Sequence, residues 1–370
     1  MNTLNIMKPT FLFTLMLLIA APCMADNDVD KCFYIDRSKR IKEKNIFLQD
    51  VAKVEYIPLE TTDDCLIHDE RLLWAIRVTA NDVFISVSHD ILRFSRDGKF
   101  LNRIGKYGQG PREMAHNTSI AVDDQKKEVW VYDGAKRRFI VYDFEGNYIR
   151  EIEHAVENFD FLDQDHFVCY ESAIKRAPAF TIRSRKDGSV VKNLSYIYPS
   201  SSGITYGLVG RSLTPRKNKG EIFFNSYVTD TIFSTNNKTR ELTPRYIFLP
   251  ANRGRNTDEC PTCVSPFLLF ETEAFAYFVT RGKEMRDSEN YYIIDKKNNT
   301  VYKGLIADSE ASRPLMCENT GVDNQIIGLY YINNLVDRLE SGRLHGRLKA
   351  LTEGLNDDAN PVLVIATFHE

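Results

Sequence analysis

An all-β fold of four-stranded antiparallel units, closed into a β-propeller, is what three observations predict. First, residues 91–113, ILRFSRDGKFLNRIGKYGQGPRE, hold a strand, a tight turn, a second strand and a glycine-rich exit loop. Leu92 and Phe94 alternate before the turn and Phe100 follows it, while Asp97-Gly98 supplies the positive φ angles that a two-residue hairpin demands. Second, the unit returns. Residues 140–152, IVYDFEGNYIREI, place Tyr142, Glu145-Gly146 and Tyr148 where Phe94, Asp97-Gly98 and Phe100 stood, with the turns 48 residues apart. A weaker third copy, residues 181–194, has Asp187-Gly188 a further 42 residues on. Third, short β-rich runs continue toward the C-terminus with no helical periodicity before residue 332. A repeat near 45 residues with four strands per unit is the propeller signature, because each blade buries its faces against its neighbours.

Taken in order, residues 1–25 read as an export signal. Lys8 gives a positive n-region, residues 11–21 are an apolar run too short for a membrane span, and Cys23-Met24-Ala25 offers a signal-peptidase site. Cleavage before Asp26 follows from this reading. The alternative is a lipoprotein anchored at Cys23, against which Pro22 is a poor lipobox residue. No later segment reaches eighteen uninterrupted apolar residues, so no transmembrane segment is expected. Residues 26–45 read as a polar N-terminal tail that packs little, and residues 46–370 as the propeller domain.

Within that domain, residues 51–60 make a strand whose Pro58 belongs at an edge or a strand end. Residues 74–78 and 82–87 supply inner strands to the first hairpin, 120–122 and 128–132 to the second, and 166–170 and 179–183 to the third. Further strand runs lie at 221–225, 231–234, 268–280 and 291–294, with Asn236-Asn237 and Asn298-Asn299 in the places of Asp-Gly turns. From Ile332 to Leu355 apolar residues recur at helical spacing, with Gly342 and Gly346 breaking the segment in two. Residues 361–368 are β-branched and apolar on both faces, as in a strand buried inside a sheet. A propeller must join its ends or leave two open edges. Residues 51–59 and 361–368 are therefore expected in one closing blade or in adjacent blades, with the helical insert outside. Repeat arithmetic gives about 49 residues per blade for six blades and 42 for seven, and does not choose between them.

The residues 54–67, VEYIPLETTDDCLI, the hairpin followed by GKYGQGPRE at 105–113, VYDFEGNYIREI at 141–152 and NPVLVIATF at 360–368 resemble the exported six-bladed β-propeller family of Gram-negative bacteria, with NHL-like repeats. The resemblance implies six blades and carries no general activity.

Composition bounds the function. At 43% hydrophobic and 11% aromatic residues the chain has ample material for a large core, and a net charge of -3 excludes a global positive field for nucleic acid. Six cysteines follow the signal. Cys260-Pro261-Thr262-Cys263 is a disulfide candidate in an oxidising compartment. Its irregular flank favours a structural bond or two idle thiols over a thioredoxin-like pair, which wants a strand before it and a helix after. No second Cys-x-x-Cys completes a zinc site.

Gly108-Gln109-Gly110-Pro111 is followed by neither a Lys-Ser/Thr pair nor a helix, so it reads as a blade-connecting loop rather than a phosphate cradle. Gln109, Arg112 and Glu113 on that loop are the candidate ligand-binding residues, since loops on rigid scaffolds carry function. The histidines, His89, His116 and His154 among them, show no metal-ligand spacing, and no cofactor is evident. A calcium or zinc ion held on the axis by several blades would leave no local signature and stays open. Phe94, Phe100 and Tyr142 read as core rather than sugar-stacking platforms. Two functional classes follow: a non-catalytic recognition module in the envelope, for a glycan, peptide or protein, and a metal-assisted propeller lyase or hydrolase with its catalytic residues unknown. Mass spectrometry of the exported protein is expected to find Asp26 as its first residue, whereas a lipid-modified Cys23 would identify the anchored form instead.

Overall fold

The computed structural model describes residues 32–67, 73–87, 89–154, 158–170, 180–194, 213–216, 220–225, 230–249, 265–281, 290–315, 317–320 and 322–369. Five antiparallel meanders follow one another. The first sheet is Leu73–Val78, Asp82–Val87, Asp90–Ser95 and Phe100–Arg103. The second is Asn117–Asp123, Glu128–Asp133, Arg138–Asp143 and Tyr148–Glu153. The third is Asn158–Phe161, His166–Tyr170, Phe180–Ser184 and Val190–Leu194. The fourth is Leu213–Arg216, Glu221–Phe224, Thr231–Asn236 and Thr243–Leu249, and the fifth Ser265–Glu271, Phe275–Arg281, Asn290–Asp295 and Thr300–Lys303. The run read from 268 to 280 thus divides at Thr272 into two strands.

The ring closes as its ends predict. Cys317–Asn319, Gln325–Tyr330 and Val362–Phe368 are completed by Ala52–Pro58 from the other end of the chain, in antiparallel register from Val362 opposite Pro58 to Phe368 opposite Ala52. Asn360 locks this seam: its Oδ1 accepts from the Ile67 N–H at 2.7 Å, and its Nδ2 donates to the carbonyls of Glu60 at 2.6 Å and Cys65 at 2.9 Å.

The expectation of six blades is corrected, because the described strands form seven sheets. The seventh has three strands, Ile306–Asp308 and Arg313–Pro314 with Ile46–Phe47 laid parallel on their edge. Strands this short carry no alternation to read, and one of them comes from the far end of the sequence. This rim sheet lies at the outside of the wedge between fifth and closing sheets, where Ile46, Ile306 and Leu315 share a cluster with Phe270, Tyr277, Ile326 and Val364.

The polar tail is corrected too. Phe33–Asp36 runs parallel to Thr243–Leu249 on the fourth sheet, and Lys42–Glu43 parallel to Thr300–Lys303 on the fifth. Phe33 and Ile35 are buried against Tyr246 and Phe248. Two apolar positions do not announce a strand unless the waiting edge is known. The segment 33–58 therefore belts the outer edges of the fourth, fifth, rim and closing sheets in turn, passing through the short helix α1 (Leu48–Val51).

Both faces of each of the six larger sheets are apolar, so burial is achieved only between sheets. Among the described residues the buried side chains gather into six clusters, and the one between second and third sheets holds Trp130, Phe139, Phe159 and Phe167, all fully buried. Each such ring contributes on the order of 2–3 kcal/mol by leaving water. The helical insert forms α2 (Ile332–Glu340) and α3 (Gly346–Thr352). The Leu348 N–H in the first turn of α3 donates to the Glu310 carboxylate at 2.8 Å, and Arg338 and Arg347 donate to the carbonyls of Ala311 and Val54, which fastens the insert to the rim and closing sheets.

The repeated glycine turns show why the hairpins recur. Gly98, Gly146 and Gly188 have φ of +89°, +87° and +75°. At each, the turn between third and fourth strands docks on the outermost strand of the preceding sheet. A Cβ at Gly98 would stand 2.3 Å from the Pro58 carbonyl oxygen, at Gly146 2.5 Å from that of Arg103, and at Gly188 2.8 Å from Cγ2 of Ile152. Gly98→Val and Gly146→Val are each expected to cost about 2–4 kcal/mol in equilibrium unfolding, combining backbone strain with the clash. Gly342→Val, at φ +68° with nothing within 4 Å of its Cβ, is expected to cost only the strain of about 1–2 kcal/mol. Equal losses at all three would show that docking contributes nothing.

Candidate functional site

Residues 104–116 carry the chain from the outermost strand of the first sheet to the innermost strand of the second. The Gly108 N–H donates to the Met114 carbonyl and the Met114 N–H to that of Lys106, both at 2.8 Å, which pinches the loop shut. Glu113 then folds back into it. Its carboxylate accepts from the Gly110 N–H at 2.8 Å and lies 3.1 Å from Lys106 Nζ. Those two partners, the Gly110 amide foremost, hold the carboxyl below its ordinary value of 4.5. A Cβ on Gly108 would stand 2.1 Å from Oε2 of Glu113, and one on Gly110 2.8 Å, so these glycines make room for a carboxylate of their own chain.

The second sheet holds the loop from below. Lys136 Nζ donates to the carbonyls of Gly110 at 2.8 Å and Glu113 at 3.0 Å, with that of Gly108 at 3.4 Å. Arg138 donates to Pro111 O at 2.7 Å, and the Tyr142 hydroxyl, its pKa raised first of all by burial, to Arg112 O at 2.9 Å. The buried Asp133 carboxylate accepts from the N–H groups of Ala115 and His116 at 2.8 and 3.2 Å. Charge-assisted bonds of this kind are the strong ones, and they leave the loop a rigid ridge.

What the ridge presents is side chains. Tyr107 is 47% exposed and stacks on the exposed His89, centroids 4.1 Å apart and planes 25° apart. The Arg112 guanidinium lies 5.1 Å from the Tyr148 ring centre, and Gln109 is exposed on the same loop. Of the three residues singled out from sequence, Gln109 and Arg112 thus face solvent, while Glu113 turns into its own loop. Tyr107, His89 and Lys136 were missed, and the only signal for them is the basic run Lys136-Arg137-Arg138 after a turn.

The axis is differently furnished. Arg77 on the innermost strand of the first sheet reaches Asp160 on that of the third, 3.5 Å apart and both buried. Among the described residues no three His, Cys, Asp or Glu side chains gather as metal ligands. Other charges brace the sheets. Arg185 pairs with Asp123 across the third and second sheets at 2.6 Å and lies 3.9 Å over the Phe161 ring, while Arg150 pairs with Glu128 within the second sheet at 2.7 and 2.9 Å. Asp308 accepts from the hydroxyls of Tyr56 and Tyr330 and from Gln49, and burial followed by that carboxylate pushes both hydroxyl pKa values up. His166 pairs with Asp163 at 2.8 Å. Cys260 and Cys263, Cys23 and the whole of residues 1–31 lie outside the described residues.

Comparison with known proteins adds the following. A family model described as Domain of unknown function (DUF4934) matches residues 33–367. No curated protein matches the sequence. The chain is similar in structure to a candidate exported protein of Bacteroides fragilis NCTC 9343, with a TM-score of 0.70 and 16% identity over 92% of this chain and 100% of that one. It is also similar to a member of the duf4221 family from Bacteroides vulgatus ATCC 8482, with a TM-score of 0.52 and 11% identity over 86% and 97%. At such identities the likeness shows the fold alone. The NHL-like kinship expected from the hairpins finds no support here, since Asp-Gly turns suit any twisted antiparallel hairpin.

Replacing Lys136 by methionine keeps the aliphatic stem and removes the donor to three carbonyls. Lys136→Met is expected to destabilise the protein by about 1–3 kcal/mol and to speed amide exchange selectively at Gly108, Gly110 and Met114. Unchanged exchange there would show that the ridge is held by other means.

Proposed function

Because the chain belongs to the DUF4934 family, whose description assigns no activity, we propose a function from the surface it builds: a non-catalytic recognition module of the bacterial envelope whose ligand seats on the ridge of residues 105–113. The observation that carries this reading is the stacked, exposed His89–Tyr107 pair on a backbone already immobilised by Lys136, Arg138 and Tyr142. A platform that is ordered before the ligand arrives spares the ligand the cost of ordering it. Aromatic rings beside amide and guanidinium groups are the side chains that recognition surfaces favour. Export to the periplasm or cell surface is supported by the N-terminal signal and by the exported character named for the B. fragilis relative.

A panel of envelope glycans and peptides, screened by calorimetry against the wild-type protein, Tyr107→Ala and Asp160→Asn, tests it. The expected outcome is at least one ligand whose affinity falls about tenfold or more in Tyr107→Ala, worth about 1.4 kcal/mol, and is unchanged in Asp160→Asn. Ligand binding that survives Tyr107→Ala and is lost with Asp160→Asn would move the site to the axis.

A further inference from the structure

Resting on that reading, we infer that the ligand of the ridge is an anionic carbohydrate, one bearing uronic-acid carboxylates or sulfate groups. Two properties of the ridge lead there, and the first is what its backbone has left to offer. The carbonyls of Gly110, Pro111, Arg112, Glu113 and Met114 all accept bonds already, from Lys136, Arg138, Tyr142 and the Gly108 N–H. The N–H groups of Gly108, Gly110, Glu113 and Met114 are likewise engaged, and Pro111 has none. Extended peptides gain their affinity from main-chain hydrogen bonds to an open edge, and this stretch has almost none to give. A saccharide does not need them. It takes side-chain hydrogen bonds at its hydroxyls and an aromatic face for its C–H surface, and Tyr107, His89 and Gln109 supply these.

The second property is charge. Three cations stand exposed on the loop and on the turn that grips it. Lys106 is 79% exposed, Arg112 is exposed over Tyr148, and Arg137 is exposed in the turn whose neighbours Lys136 and Arg138 grip the loop. Of the carboxylates on these segments, Glu113 is turned inward onto the Gly110 amide and pairs with Lys106, and Asp90, next to His89, pairs with Arg103 at 3.6 Å. Among the described residues neither Arg112 nor Arg137 has an ion-pair partner. Two exposed guanidinium forks, one on the loop that carries Tyr107 and one on the turn that grips it, fit carboxylate or sulfate groups carried on sugar rings, since the planar fork matches such oxyanions.

The test uses the folded wild-type protein and three probes: a hexasaccharide of galacturonic acid, a neutral hexasaccharide of galactose, and hexaglutamate. Calorimetry at about 50 mM salt is expected to give tightest binding to the uronate, with the neutral sugar weaker by about tenfold or more. Arg112→Ala/Arg137→Ala is expected to weaken the uronate by about tenfold with an unchanged unfolding temperature, because both side chains are exposed, and salt at about 500 mM is expected to weaken it further. Equal binding of both sugars, both lost in Tyr107→Ala, would overturn the charge inference and leave the recognition surface in place. Hexaglutamate bound as tightly as the uronate, or no uronate binding at about 1 mM, would also overturn it.

Discussion

Each of the six larger sheets of this protein is apolar on both faces, and none can hide both faces alone. The ring follows from that constraint. Ala121 and Trp130 look toward the third sheet while Val129 and Val131 look toward the first, so every sheet must be sandwiched, and a row of sandwiched sheets ends satisfactorily only by meeting itself. The antiparallel seam of Val362–Phe368 with Ala52–Pro58 is where it does so. The glycine turns then set the spacing of the stack, because Gly98 docks on Pro58 as Gly146 docks on Arg103. The closing seam is thus built to the same rule as an ordinary step between neighbours.

Much of this was legible in the chain. Asp97-Gly98, Glu145-Gly146 and Asp187-Gly188 announced hairpins because a positive φ restricts the residue choice locally. Asn236-Asn237 and Asn298-Asn299 stand at the same third-to-fourth-strand turns of the fourth and fifth sheets, with Asn299 at φ +48°. The insert broke where Gly342 and Gly346 said it would. What escaped reading has a common cause. Phe33–Asp36, Lys42–Glu43 and Ile46–Phe47 are strands only because an edge elsewhere receives them. A two-residue strand of lysine and glutamate has no propensity to betray it.

The candidate surface was legible in part for a similar reason. Its glycines drew notice, and their role proved internal, opening space for Glu113. The platform itself joins His89, in the turn between second and third strands, to Tyr107, beyond the fourth. A meander brings those two connections to the same end of a sheet, which is a property of topology and not of any local motif. Lys136 is more hidden still, since its three carbonyl partners become a set only when the loop of one sheet lies on the turn of the next.

The belt has a consequence in time. Translation delivers residues 33–58 near the start, yet their partners are Tyr246, Tyr302, Ile306 and the final strand. This early segment is therefore among the last to be housed, and its docking must wait until its late partners have appeared. Contacts so distant in sequence fold slowly, because the long loop must be closed before they reward it. The native ring cannot form while its final strand is still unmade, so the nascent chain stays open until its synthesis is nearly complete.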